Sequence, residues 1–311
     1  MPSFLPTLGS MLNKKSQLAL QKGEGSAEMS RSLSSGGKLM VIPHQKLFIS
    51  EPDPRFFGNE RNPSKAKKGW TNENWLKSRF HFSFAEYTGG PSNFGVLRVM
   101  NDDLVQPLRG FGTHPHRDME IITFVVEGQL THQDSMGTKE TLGRGSIQFM
   151  TAGSGVRHSE HNFQKAAPLR FIQSWVVPRQ RGLTPNYGSY NGTGQASAEA
   201  RRDKWLHLVA DVRADRSVTA PVRINQDCNV YVTELSPGAN APSLKIGEHR
   251  QAYMLCVEGD VVKGLQKKQL RRHDAAELKG PLALDLEAGP DGALVLLFEM
   301  AMTDDSRGIY H

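Results

Sequence analysis

Short apolar runs alternate with turn residues along most of this 311-residue chain. The runs at residues 121–126, 169–177 and 230–235 are rich in β-branched and aromatic side chains, which is typical of β-strands. Thirty glycines and seventeen prolines, scattered singly, favour tight turns between these runs. Strands that recur about every 8–12 residues predict an all-β protein built as barrels or sandwiches.

The same pattern predicts individual elements. Residues 81–87 alternate as a strand does, and Asn101-Asp102-Asp103 is typical of a turn. Residues 129–133 and 139–142 are predicted to form a hairpin closed by Asp134-Ser135-Met136-Gly137. Residues 178–202 are polar and rich in turn residues, and the strand-like pattern of apolar runs resumes after residue 204. We interpret this polar stretch as a connection between two domains.

A weak internal repeat supports two domains. Phe-Val-Val-Glu-Gly at 124–128 corresponds to Leu-Cys-Val-Glu-Gly at 255–259. The positions fourteen and twelve residues before the glycine are His114 and His116 in the first copy, but Lys245 and Gly247 in the second. We therefore expect a duplicated barrel whose second copy has no metal. The predicted limits are a disordered or targeting leader (1–38), a metal-binding domain (39–180), a connection (181–203) and a domain without metal (204–311).

Two pairs of potential metal ligands carry the candidate chemistry. His114 and His116 stand two residues apart at the start of a predicted strand, so their side chains project from one face. His158 and Glu160 repeat this spacing after a glycine-rich turn. Two antiparallel strands could direct these three imidazoles and one carboxylate at one point. Such a set suits a divalent first-row metal with open coordination positions.

Spacing alone leaves two candidates for the carboxylate ligand. Glu120 lies four residues beyond His116, so a straight strand would direct it to the same face. Glu160 has the same spacing from His158 as the first two histidines have from each other. His132 is expected beside the site or on the surface, and His161 is expected to point away from the metal because its parity is opposite to that of His158.

Composition limits the cellular setting. The formal charge of +6 requires no nucleic-acid partner, and we predict no direct binding of nucleic acid. Only two cysteines occur, without a CxxC motif, which favours a reducing compartment. No run of 18 apolar residues predicts a membrane span. A cytoplasmic monomer is expected, with the nucleus, or an organelle if residues 1–40 are a transit peptide, as alternatives.

Three motifs resemble the pirin family of the cupin superfamily. They are Gly-Phe-Gly-Thr-His-Pro-His at 110–116, His-Gln-Asp-Ser-Met-Gly at 132–137 and Ala-Gly-Ser-Gly-Val-Arg-His-Ser-Glu at 152–160. Flanking segments at 82–85, 97–103 and 183–185 resemble the pirin-like proteins with quercetinase activity. The resemblance covers roughly residues 45–300 and implies a bicupin of two β-barrel domains. It also implies Glu160, rather than Glu120, as the fourth ligand beside His114, His116 and His158.

The resemblance further implies an activity. It indicates a quercetin 2,3-dioxygenase-like oxidoreductase that cleaves flavonol-like polyphenols with O2 and releases carbon monoxide. Fe(2+) is the expected metal, with other divalent transition metals as alternatives. Glu160 would serve both as ligand and as the catalytic base that accepts the substrate's hydroxyl proton. The alternative function is a redox-responsive iron-binding pirin that acts as a transcriptional cofactor or protein-binding module.

Overall fold

The computed structural model of the protein describes residues 36–62, 74–266 and 268–302. The predicted leader, residues 1–38, lies outside the described residues except for its last three. Within the described ranges, no helix is both long and apolar enough to cross a bilayer.

Strands dominate both halves of the described chain. The first half contains β1 (Lys38–Ile42), β2 (Phe48–Ser50), β3 (Leu76–Phe80), β4 (Leu97–Val105), β5 (Arg109–His116), β6 (Glu120–Glu127), β7 (Gln129–Asp134), β8 (Lys139–Gly143), β9 (Ile147–Thr151), β10 (Val156–Asn162), β11 (Leu169–Val176) and β12 (Asn186–Tyr190). Two short 3-10 helices occupy His44–Lys46 and Phe56–Gly58, and the α-helix α1 spans Gln195–Arg201. The second half contains β13 (Leu206–Asp211), β14 (Val222–Ile224), β15 (Cys228–Leu235), β16 (Leu244–Ile246), β17 (Arg250–Leu265), β18 (Lys268–Arg271), β19 (Ala275–Lys279), β20 (Leu282–Leu284) and β21 (Glu287–Ala301). The predicted all-β class is confirmed.

Two sheets enclose the interior of the first half. A seven-stranded sheet has the order β12-β9-β6-β11-β4-β3-β2, and a four-stranded sheet has the order β5-β10-β7-β8. Val125 and Phe171 of the large sheet belong to one buried cluster with Leu130 and Leu142 of the small sheet. Successive strand residues face opposite sides, so every second residue of β4, β6 and β11 faces the small sheet.

The second half repeats this plan with a different division of strands. Its large sheet has the order β1-β19-β17-β21-β15-β13-β14, with β18 on β17, and its small sheet pairs β16 with β20. The first strand of the chain therefore belongs here, since β1 pairs with β19 from Lys38↔Lys279 to Ile42↔Ala275. The predicted domain limits stay a prediction, although β1 lies within the range predicted for the metal-binding domain.

The large sheets of both halves share one hydrophobic core. Phe124 and Ile172 of the first half lie in the same buried cluster as Tyr253 and Phe298 of the second. A buried ion pair of the first half also contacts the second: Arg170 donates to both carboxylate oxygens of Asp102 at 2.8 Å and to the carbonyl of Val257 at 2.8 Å. His273 of the second half contacts the same Asp102 carboxylate. Burial of this charged group is tolerable because its partners are buried with it.

Two local predictions require correction. Residues 81–87 do not form a strand; β3 ends at Phe80, and a single bridge joins Phe84 to Tyr87. The predicted turn at 101–103 is wrong, because these polar residues lie inside β4, where Asp102 meets Arg170. Residues 186–190, within the predicted connection, form β12 and pair with β9 of the first half. The predicted hairpin is confirmed as β7 and β8.

Candidate metal centre

Strands β5 and β10 bring the two predicted ligand pairs together. They are antiparallel, with His158 opposite His114 and Val156 opposite His116. Along β10, His158 and Glu160 are buried, whereas the residues between and beyond them are more exposed. A bulge shifts the register between His158 and Glu160, so Glu160 stands opposite Phe111. In a regular antiparallel ladder Glu160 would stand opposite Gly112, so the bulge shifts its partner on β5 by one residue.

The three histidines form a tight cluster. The ring centroids of His114, His116 and His158 are 4.6–4.7 Å apart, and their ligand atoms lie within 4.8 Å of one another. The Nε2 atoms of His114 and His158 are 3.1 Å apart. Two nitrogens bound to one ion at about 2.1 Å, in adjacent positions, are about 3 Å apart. The observed spacing therefore fits a shared metal.

The histidines are also in the protonation state that a metal requires. His114 Nδ1 donates to the carbonyl of Gly112 at 2.7 Å, which leaves the Nε2 lone pair directed to the cluster. Burial lowers the pKa of His114 and lowers the pKa of His116 to about 3. Burial, with the neighbouring histidines, also lowers the pKa of His158 well below its ordinary value. Neutral imidazoles are the ligand form.

Glu160 lies beside the cluster in a cage of polar groups. Gln148 Nε2 donates to Glu160 Oε1 at 2.9 Å, and Gln173 Nε2 donates to Glu160 Oε2 at 2.8 Å. The hydroxyl of Thr123 is 3.2 Å from Oε1. Burial raises the pKa of Glu160 to about 7, against the opposing effect of these hydrogen bonds. A carboxyl group with this pKa can exchange a proton at neutral pH.

The cage belongs to a row of polar side chains across the large sheet. Strand register places Gln148 of β9 beside Thr123 of β6, Thr123 beside Gln173 of β11, and Gln173 beside Asn101 of β4. We call these four residues the polar row. Gln148 Nε2 is 3.3 Å from the hydroxyl of Thr123, which donates to Gln173 Oε1 at 2.7 Å. The row fixes the positions of the amides that hold Glu160.

Glu120 lies elsewhere. The expectation that it continues the strand of His116 is wrong, because β5 ends at His116 and the chain turns through Asp118, whose φ is 51°. Glu120 then begins β6 in the other sheet, where it accepts hydrogen bonds from Thr151 at 2.8 Å and Asn225 at 2.9 Å. It belongs to neither group of ligand atoms found among the described residues.

The two other histidines flank the site differently. His132 is buried, its Nε2 is 3.0 Å from Asp134 Oδ2, and its ring stacks on Tyr187. It forms a second possible ligand group with His158 and Glu160, so it lies beside the site rather than on the surface. His161 stacks on Phe163 and, within the described chain, joins neither ligand group.

A cavity of about 240 Å³ opens onto the cluster. Its walls are largely aromatic and come from both sheets, from the second 3-10 helix and from the chain on either side of β3: Phe56, Phe57, Trp75, Phe80, Phe84, Phe111 and Trp175. Its polar lining includes His114, His116, Glu160, Gln173 and two residues of β4, Asn101 and Asp103. Burial raises the pKa of Asp103 to about 8. Such a lining, apolar with a few polar groups, is typical of sites for small organic ligands.

The sequence pattern missed most of these neighbours. Gln148, Thr123 and Gln173 occupy ordinary strand positions, and only the pairing of three distant strands brings them to Glu160. Phe57 lies in a stretch that its prolines mark as loop, yet its ring is 5.4 Å from that of His114. Alternation along β6 and β11 could have indicated inward-facing polar residues, but not their common target.

The positions of the histidine nitrogens themselves fit a bound divalent metal. His158 Nδ1 is buried and has no hydrogen-bond partner among the described residues. The Nε2 atom of His158 faces the lone pair on the Nε2 atom of His114. If His158 carries no proton on Nε2, the two lone pairs repel each other. An ion held between the two neutral imidazoles would bind the lone pairs of both Nε2 atoms. The sheets and this cluster together define an all-β protein with a cupin-type metal-binding site.

Comparisons with known proteins agree with this class. The Pirin family model matches residues 63–176, and the model of the quercetinase C-terminal cupin domain matches residues 212–300. The chain is 36% identical over 236 residues to quercetin 2,3-dioxygenase of Escherichia coli (strain K12), covering 75% of this chain and 95% of that protein. It is also 36% identical over 233 residues to a pirin-like protein of Caulobacter vibrioides, covering 74% of this chain and 95% of that one. This chain belongs to the pirin family.

Solved structures give the same result. The crystal structure of the bacterial pirin YhhW from Escherichia coli in complex with nickel(II) superposes with a TM-score of 0.67 and 29% identity, over 86% of this chain and all of that one. A second crystal structure of YhhW gives a TM-score of 0.69 at 28% identity, covering 86% of this chain and 99% of that one. The fold is therefore shared over nearly the whole length of these pirins.

Proposed function

We propose that this protein is a metal-dependent dioxygenase that cleaves flavonol-like polyphenols at a site formed by His114, His116, His158 and Glu160. One observation carries the proposal: His114, His116 and His158 converge, Glu160 lies buried beside His158, and His114, His116 and Glu160 border a single aromatic cavity. The relatives named quercetin 2,3-dioxygenase support the same substrate class.

The four residues have two proposed roles, metal binding and proton transfer. His114, His116 and His158 would hold the metal through ring nitrogens, and Glu160 would complete the set from its polar cage. When bound, the metal supplies a Lewis acid with open positions for an enol oxygen and for O2. Glu160 accepts the proton of the substrate's enol hydroxyl, because it borders the same cavity as His114 and His116 and burial raises its pKa above the ordinary value.

The cavity walls orient the substrate. Trp175 stands edge-on to His116 with ring centroids 4.9 Å apart, and Phe57 tilts over His114 at 5.4 Å. These rings confine a flat aromatic molecule beside the histidines and exclude water from the reacting carbons. In the overall reaction, both atoms of one O2 enter the product, carbon–carbon bonds of the central ring break, and one ring carbon leaves as carbon monoxide.

We propose Fe(II) as the metal in the cell. The combination of imidazole and carboxylate ligands with open positions suits Fe(II) in oxygen chemistry. The same ligand types also accept nickel(II), the metal in the related YhhW structure. Metal identity therefore depends on availability as well as on the ligands.

We also propose that the two halves are two cupin barrels, residues 39–180 and 204–311, joined by residues 181–203, with the metal in the first. The repeated plan of a large and a small sheet supports this architecture. Lys245, at the position that corresponds to His114, lies exposed on β16. A stoichiometry of two metal ions per chain after reconstitution would refute the single-site proposal.

Oxygen consumption tests the activity. Protein reconstituted anaerobically with Fe(II), Ni(II) or no metal is mixed with quercetin in air-saturated buffer, and O2 uptake and carbon monoxide release are measured together. We expect equimolar uptake and release with metal, and neither above background without it. His158→Ala serves as the matched negative control, and His161→Ala, on the other face of β10, serves as the positive one. A metal-loaded protein that consumes no O2 with any flavonol refutes the proposed function.

A further inference from the structure

Two polar residues on the cavity wall have no part in holding the metal or Glu160. Asn101 and Asp103 are two residues apart on β4, so both face the interior, whereas Asp102 between them faces the second half and pairs with Arg170. Both border the cavity that His114 and His116 also border. Strand positions in a cavity wall are rigid, which suits recognition of a ligand.

Asn101 differs from the other members of the polar row. Gln148, Thr123 and Gln173 all contact Glu160 or one another. Asn101 ends the row beside Gln173, and its Oδ1 is buried without a hydrogen-bond partner among the described residues. Buried polar atoms are nearly always paired. An unpaired amide oxygen at the edge of a cavity indicates a partner that arrives with the ligand.

Two indole nitrogens of residues that line the cavity also lack hydrogen-bond partners within the described residues. Trp75 and Trp175 both line the cavity, and the Nε1 of each is buried without an acceptor in the described part of the chain. The residues that line the cavity therefore include an unpaired acceptor and two unpaired donors. Hydroxyl groups complement such a wall, because each hydroxyl both donates and accepts.

We propose that Asn101, with Asp103 beside it, is a recognition element for the ring hydroxyl groups of a polyphenol whose enol end lies at the histidines. The inference rests on the proposed function and adds what selects the substrate. Hydroxyls remote from the reacting ring would bind to Asn101 and Asp103, while the aromatic walls hold the rings. A flavonol without those hydroxyls leaves the amide of Asn101 unpaired and binds more weakly.

Equilibrium binding tests this inference independently of turnover. Ni(II)-loaded protein is titrated anaerobically with quercetin and with 3-hydroxyflavone, which keeps the enol and ketone and has no other hydroxyl. The variants are Asn101→Leu, Asn101→Ala and Asp103→Leu. Asn186→Leu is the matched control, because it makes the same substitution at an exposed position of the same sheet. Metal content and thermal unfolding are recorded for each protein.

We expect the wild type to bind quercetin more tightly than 3-hydroxyflavone. Asn101→Leu and Asn101→Ala should weaken quercetin binding by about 5- to 30-fold, the value of one hydrogen bond that is lost in a buried site, and leave 3-hydroxyflavone binding unchanged. Equal losses for the two ligands, or no loss for either, overturn the recognition role while the proposed function stands. A wild type that binds neither flavonol overturns the proposed function and the recognition role with it.

Discussion

Replacing Glu160 by glutamine separates its chemical role from its structural one. Both carboxylate oxygens accept from amides, Gln148 at 2.9 Å and Gln173 at 2.8 Å. A glutamine at position 160 presents an NH2 group to one of these donors. Gln173 cannot rotate freely to compensate, since its Oε1 already accepts from Thr123 at 2.7 Å. One donor is therefore left unpaired in a buried site.

The expected magnitudes follow from this geometry. An unpaired buried donor costs about 1–3 kcal/mol, so the free energy of unfolding of Glu160→Gln should fall by that amount. Loss of the base should lower turnover by about 10²- to 10⁴-fold, because a neutral amide accepts no proton at neutral pH. Metal binding should persist in part, since three histidines remain and an amide oxygen is a weak ligand.

Glu120→Gln is the matched control. Glu120 is also buried, and also accepts two hydrogen bonds, from Thr151 and Asn225. Its replacement should cost a similar free energy of unfolding and leave turnover and metal content close to those of the parent. The assay combines urea unfolding, metal analysis and quercetin consumption on the parent and both variants.

The comparison has two outcomes that contradict our account. Equal losses of turnover in Glu160→Gln and Glu120→Gln would show that a general loosening of the sheets, not a missing base, explains the effect. Loss of metal in Glu120→Gln alone would reverse the assignment of the carboxylate ligand.

Three further predictions concern the metal and the core. His158→Ala should lose most bound metal by elemental analysis, whereas His161→Ala should keep it; similar losses would contradict the strand register of β10. Asp102→Asn should lower the free energy of unfolding, measured in urea, by about 3–5 kcal/mol, because it leaves Arg170 buried without its charge partner. A change below about 1 kcal/mol would show that the ion pair is dispensable for stability. Chelation should destabilise the protein by about 2.7 kcal/mol relative to samples with metal at about 100 times its dissociation constant; an unchanged unfolding midpoint would mean that no metal binds the folded state.

The ligand pairs were predictable because their signal is local. Spacing of two residues on a strand fixes a common face whatever the rest of the chain does, and this placed His114 beside His116 and His158 beside Glu160. The convergence of the pairs required only that their two strands be neighbours, which the register of β5 and β10 confirms. Coordination of a metal by the three histidines and by Glu160 stays a prediction.

The remaining features depend on contacts between distant strands. The partner of β1 is β19, more than two hundred residues away, and nothing in the composition of residues 38–42 selects it. Asn101, Asp102 and Asp103 have turn-forming composition, but they lie inside β4, where Arg170 pairs with Asp102. Glu120 has the right parity for a ligand, yet a turn at Asp118 transfers it to the other sheet. Parity is reliable only while the strand continues.

The fate of labelled oxygen tests the central claim most directly. Fe(II)-reconstituted protein is given quercetin under ¹⁸O2, and the ring-opened product is analysed by mass spectrometry, with His114→Ala treated in parallel. We predict that the product formed by the parent carries both labelled atoms and that the variant forms none above background. Unlabelled or singly labelled product from the parent, or equal amounts of doubly labelled product from His114→Ala, would contradict dioxygenation at the histidine cluster.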